Sequence, residues 1–138
     1  MISMADTFPL AHLRKSIENR DLSIGVVGLG YVGLPTAIAF HDAGFKVYGI
    51  DHSEEVIESL GRGRSAISEE VGLKIPVSSN WILTSSYEDS IPNCDVAIVC
   101  VPTPVGENLE PNLESVNSSI KSIISSCGDK GDLVIILE

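Results

Sequence analysis

Three glycines, Gly28, Gly30 and Gly33, stand in the spacing Gly-x-Gly-x-x-Gly directly after the apolar run Ile24 to Val27. A helical pattern follows them. A second apolar run, Phe45 to Ile50, ends in Asp51, roughly twenty residues beyond the loop. Such glycines alone are a weak signal. Set between a strand and a helix, with an acid at the tip of the next strand, they point to a dinucleotide. Gly28 permits the tight turn out of the strand, Gly30 lets backbone approach a diphosphate, and Gly33 lets helix and sheet pack closely. The free N–H groups and partial positive charge at a helix mouth favour the dianion. Asp51 would accept hydrogen bonds from the adenosine ribose hydroxyls. A 2′-phosphate would meet its charge, and His52, Ser53, Glu54 and Glu55 include no Arg to receive one, so NAD is expected rather than NADP. The competing reading, a glycine turn beside a surface aspartate, needs strand, loop, helix, strand and acid to coincide by accident.

The elements that must position these residues follow from hydrophobic periodicity. Strands are expected over 22–27, 46–50, 81–84, 95–101 and 133–137, the last two as continuous apolar runs buried on both faces. Helices are expected over 9–19, 31–43 and 54–60, with a helical turn over 87–91. Pro35 falls in a first helical turn, where its missing N–H breaks no bond, and Gly44 suits the end of that helix. Ser53 suits an N-cap. Residues 61–65 read as a loop, and 66–80 are ambiguous. Leu113, Val116, Ile120, Ile123, Ile124 and Cys127 form a helical apolar stripe, with Asn112 as its cap and Gly128 as its stop. Alternating strands and helices give an α/β fold of the Rossmann type, a doubly wound parallel sheet cut off after about five strands. The expected organisation is a helical extension over 1–20 and a nucleotide-binding domain over 21–138. The chain stops at the tip of a buried-type strand, which predicts a piece of a longer enzyme.

Composition narrows the function classes. With 138 residues, 43% hydrophobic and 20% charged, the chain suffices for one packed domain rather than a disordered one. A net charge of −10 with no basic stripe argues against a nucleic-acid partner. No apolar run reaches about eighteen residues, so no membrane span is expected. The first twenty residues lack a secretory apolar region, which makes the cytoplasm the default location. Cys100 and Cys127 read as small core residues, and none of Cys94, Cys100 and Cys127 is placed as a nucleophile. His12, His41 and His52 are scattered without metal-ligand spacing.

The run Ile24-Gly25-Val26-Val27-Gly28-Leu29-Gly30-Tyr31-Val32-Gly33-Leu34-Pro35 resembles the start of the UDP-glucose/GDP-mannose dehydrogenase family. So do Val47-Tyr48-Gly49-Ile50-Asp51, Val99-Cys100-Val101-Pro102-Thr103-Pro104 and Glu110-Pro111-Asn112-Leu113. The last two, with the leading helix around Lys15 and Ile17, look most like the branch acting on UDP-N-acetylglucosamine or UDP-N-acetylmannosamine. The resemblance departs at Gly61 and Ala66, where the family usually carries Asn and Pro. It implies an NAD-dependent oxidation of a sugar C6 alcohol to a carboxylate in two hydride transfers, through a thioester on a cysteine. That cysteine's motif does not occur in this sequence, so no catalytic residue carries over. The chain alone is expected to bind NAD without turnover, and the full-length enzyme to take a UDP-sugar and to form a homo-oligomer.

Residue by residue, the resemblance places the loop glycines and Asp51 on the cofactor. Tyr31 and Val32 would offer backbone N–H groups to the diphosphate. Val101, Pro102 and Thr103 match the segment lying along the cofactor after the fourth strand, and Thr103 has a hydroxyl to donate near the nicotinamide ribose. Thr103 is otherwise a turn residue between two prolines. Glu138 ends the fifth strand beside the same crevice, either contacting ligand or frayed as a terminal residue. Arg62 and Arg64 read as a solvated loop. Three alternatives remain at this point: another NAD dehydrogenase of the same fold, an S-adenosylmethionine methyltransferase, and a nucleotide-sensing module without catalysis.

Overall fold

The computed structural model describes residues 9–129 and 132–138, with side chains from His12 onward. The first eight residues of the expected extension lie outside the described residues. Among the described residues five strands form one parallel sheet: β1 (Ser23–Val27), β2 (Lys46–Ile50), β3 (Trp81–Thr84), β4 (Val96–Val99) and β5 (Val134–Leu137). Their order is β3-β2-β1-β4-β5, so the chain leaves β1 in one direction and, after β3, crosses back to its other side. Ile24 pairs with Val47 on one side and Val96 on the other. The helices are α1 (Pro9–Glu18), α2 (Gly33–Asp42), α3 (Glu54–Gly61), α4 (Ala66–Val71), α5 (Tyr87–Ser90) and α6 (Glu114–Ser126), with a 3-10 turn at Ile91–Asn93. Among the described residues no helix is long and apolar enough to cross a membrane.

Strand alternation splits the core into two layers. Ile24 and Val26 pack with Leu34, Ala37 and Ile38 of α2 on one face. Val27, Tyr48, Ile50, Ala97 and Val99 pack with Ile91 and with Ile123 of α6 on the other. Both faces of β1 and β2 are covered, which is why their sequences are apolar throughout. The helix ends follow from local chemistry. Gly44, at φ +99°, closes α2 by donating to His41, while the Phe45 N–H returns to Phe40. The Ser53 hydroxyl accepts from the Val56 N–H and starts α3.

One open stretch is resolved and two expectations need correction. The ambiguous stretch 66–80 contains α4, started by the Ser65 hydroxyl accepting from the Ile67 and Ser68 N–H groups and stopped by Gly72 at φ +69°. β5 is not buried: Val134, Ile135, Ile136 and Leu137 remain 37–59% exposed. Among the described residues it is an edge strand paired with β4 alone, and apolar content cannot substitute for a covering layer. On α6, Val116 and Ile123 are buried while Leu113 and Ile124 are exposed, so the apolar stripe is wider than the buried seam. Element bounds otherwise shift by one or two residues; α2 begins at Gly33 rather than 31, and β4 ends at Val99 rather than 101.

Candidate functional site

The carboxyl ends of the strands stay in register because the backbone ladder runs one residue past them. Asp51 N–H donates to Thr84, Gly28 N–H to Ile50 (2.8 Å), Cys100 N–H to Val27 (2.7 Å) and Glu138 N–H to Val99 (3.0 Å). Four neighbouring strands thereby place Asp51, Gly28, Cys100 and Glu138 along one edge, in that order. A crevice of about 1040 Å³ opens above this edge at the point where the strand order reverses.

The glycine loop forms its near wall. Gly28 adopts φ +92°, and a Cβ there would meet the Cys100 carbonyl at 2.9 Å. A Cβ on Gly33 would overlap the Gly28 carbonyl, so the first turn of α2 lies directly on the loop. Gly30 lines the crevice, and a Cβ there would meet nothing within 4 Å. Its missing side chain relieves no clash; it leaves the backbone bare toward the open space. Val32, the residue before α2, supplies no side-chain cap. In the first turn of α2 the Leu34 N–H is bonded to Gly30 and the Thr36 N–H to Val32, and Pro35 has none, so an anion at the helix mouth would meet the backbone of Gly30, Tyr31 and Val32, which line the crevice.

Asp51 is built into this loop. Its Oδ2 accepts from the Leu29 N–H at 2.9 Å and its Oδ1 from the Ser53 N–H at 3.0 Å. The side chain is only 12% exposed, with His52 Nδ1 at 3.6 Å from Oδ1. Each carboxylate oxygen accepts one backbone bond and keeps further lone-pair capacity, enough for a pair of vicinal hydroxyls.

The remaining expected residues converge on the same space. Val101 is half-buried, Pro102 and Thr103 are exposed, and all three line the crevice with Tyr31 and Val32. The Tyr31 ring points to α4, its hydroxyl donating to Glu70 Oε2 at 2.8 Å. That hydrogen bond, and then the Glu70 charge, hold the phenol above its ordinary 10.0. Sequence reasoning missed the far wall: Ser115, Ser118, Ser119 and Ser122 of α6, with Ile67 of α4 and Tyr87. The serines recur at helical spacing beside the apolar stripe, with Ser119 buried next to Val116 and Ile123, a signal present in the sequence.

Cys100 lies beneath the loop, 8% exposed, and its thiol donates to Glu138 Oε2 at 3.4 Å. Burial first, then the hydrogen bond to Glu138 and its charge, push the thiol from 9.0 to about 12. It stays protonated and is no nucleophile, in line with its reading as a core residue. Among the described residues, no three His, Cys, Asp or Glu side chains converge as a metal site.

Strand order, edge crevice and glycine-built helix mouth together define a dinucleotide-binding α/β domain. The model of the UDP-glucose/GDP-mannose dehydrogenase family's NAD binding domain matches residues 22–138, and the chain belongs to that family. It is 37% identical over 117 residues to the UDP-N-acetyl-D-mannosamine dehydrogenase of Yersinia pestis, covering 83% of this chain and 27% of that protein. It is 37% identical over 118 residues to the UDP-N-acetyl-D-glucosamine 6-dehydrogenase of Pseudomonas aeruginosa, covering 84% and 27%. The solved UDP-D-ManNAc dehydrogenase of Pyrococcus horikoshii superposes with a TM-score of 0.68 at 31% identity, over 85% of this chain and 28% of that one. The chain thus spans little more than a quarter of each of these three relatives. NAD is the cofactor of this domain, and the bare loop, capless helix mouth and neighbouring carboxylate fit its diphosphate and ribose.

Proposed function

We propose that the crevice is the NAD site. The backbone of Gly28, Gly30, Tyr31, Val32 and Gly33 receives the diphosphate, and Asp51 accepts from the adenosine ribose hydroxyls. Val101, Pro102 and Thr103 lie along the nicotinamide half. The observation that carries this reading is the 2.9 Å hydrogen bond from Leu29 N–H to Asp51, which ties the acid to the glycine loop. Bound NAD would supply the acceptor for a hydride leaving an alcohol carbon; the chain's own residues bind and orient it. Residues 21–138 act as the nucleotide-binding unit behind a helical extension over 1–20. The names of the relatives support a nucleotide-sugar dehydrogenase as the whole enzyme. In this reading the whole enzyme oxidises a UDP-N-acetylhexosamine at C6 to its uronate with two NAD per turnover, in the cytoplasm and as a homo-oligomer. The 138-residue chain alone binds NAD and turns over nothing.

Thermal melts with NAD, NADP and S-adenosylmethionine test the site. NAD alone should raise the melting temperature, since a ligand at a hundred times its Kd stabilises by about 2.7 kcal/mol. Asp51→Arg should weaken NAD and relax the bias against NADP. Unchanged NAD affinity in that variant would overturn the role of Asp51, and NADH formed from a UDP-N-acetylhexosamine by this chain would overturn the absence of turnover.

A further inference from the structure

The edge order that places Asp51 and the glycine loop also places one residue beyond them. Glu138 lies three strands from Asp51, a span of roughly 14 Å at about 4.8 Å per strand. An extended dinucleotide anchored by its adenosine ribose at Asp51 and its diphosphate at the loop must direct its nicotinamide half toward β4 and β5. Glu138 lines the crevice there and is exposed. Its Oε2 is held by two neutral donors, the Cys100 thiol at 3.4 Å and the Thr36 hydroxyl at 3.5 Å. No Lys, Arg or His among the described residues forms an ion pair with it. Among the described residues nothing compensates this carboxylate, which stands in the nicotinamide half of the crevice.

The two forms of the cofactor differ there by one charge: the oxidised nicotinamide is a cation and the reduced ring is neutral. We infer that Glu138 sets the preference of this site for NAD+ over NADH, its carboxylate attracting the cationic ring and releasing the neutral one. The inference rests on the proposed NAD site and adds to it a redox-state selectivity. Cys100 acts as a positioning residue: a thiol pushed to about 12 keeps its proton and so keeps donating to the carboxylate. In an oxidising enzyme this arrangement favours loading of the substrate form of the cofactor and discharge of the product form.

The test is calorimetric titration of the 138-residue chain and its Glu138→Gln variant, both amidated at the C-terminus so that the side chain alone can carry charge at that residue, with NAD+, NADH and ADP-ribose, which lacks the nicotinamide. The ratio of the NADH to the NAD+ dissociation constant should fall by about three- to tenfold in Glu138→Gln, the size expected of one partly screened charge pair. ADP-ribose affinity should not change. Glu138→Asp, which retains the charge, should keep part of the preference, and in the unmodified chain the preference should shrink as salt is raised. A ratio unaltered by Glu138→Gln, with ADP-ribose still bound, would overturn the role of Glu138 while leaving the NAD site standing. A chain that binds none of the three ligands would overturn the site and, with it, this inference.

Discussion

At the scale of single residues, the loop glycines do different physical work, and substitution separates it. A methyl on Gly30 meets no atom, so Gly30→Ala should melt like the unmodified chain yet bind NAD about tenfold more weakly, a loss of about 1.4 kcal/mol. A methyl on Gly33 overlaps backbone that cannot swing aside. Gly33→Ala should lose about 1–3 kcal/mol in urea denaturation. Equal stability of the two variants would contradict the close packing of α2 on the loop. Cys100 supplies a pH-dependent case. Its folded value, about 12, lies above its ordinary 9.0, so its contribution to stability is complete below pH 9 and is lost as pH rises through 12. Removing the thiol shifts the whole curve through lost packing but removes that slope. Between pH 9 and 11 the urea midpoint of the unmodified chain should fall more steeply than that of Cys100→Ala; parallel curves would show that the thiol does not titrate as described.

At the scale of elements, α6 shows what periodicity reveals and what it leaves open. Six apolar residues on a helix predict an amphipathic segment, and the helix is there. Ile123 and Ile124 are neighbours in sequence, but about 100° of helical turn separates them. Only Ile123 reaches the sheet; Ile124 is 59% exposed. Ile123→Ala should cost about 2–5 kcal/mol and Ile124→Ala within about 0.5 kcal/mol, measured by denaturant titration. The cap was legible with a small displacement, since Asn112 Oδ1 accepts from the Glu114 N–H at 2.9 Å, one residue ahead of the geometric cap at Leu113. α4 was not legible, although Ser65 and Gly72 are ordinary start and stop residues. Six residues are too few to display a helical period. β5 misled for the opposite reason. Val134 to Leu137 has the composition of a buried strand, and composition does not report whether a covering layer is present.

At the scale of the whole molecule, the glycine loop, Asp51 and the strand alternation were readable because each is local: a turn, a strand tip, a period. The parallel sheet and its reversal at β1 followed from that alternation. The features that needed coordinates are long-range. The Tyr31 to Glu70 hydrogen bond spans 39 positions, the Cys100 to Glu138 contact spans 38, and the serine wall of α6 acquires meaning only opposite the loop. The same distinction governs how the chain is made. β1 is the middle strand, and one of its neighbours arrives late: the Ser23 N–H donates to Asp95 Oδ2, 72 positions onward, just before β4 begins. While the protein is still being translated, β1 can join β2 soon after both emerge from the ribosome, but its other flank stays open until β4 has been synthesised. Until β4 emerges, the future centre of the sheet is therefore an unprotected edge, the condition in which nascent chains pair wrongly and in which a chaperone has something to hold.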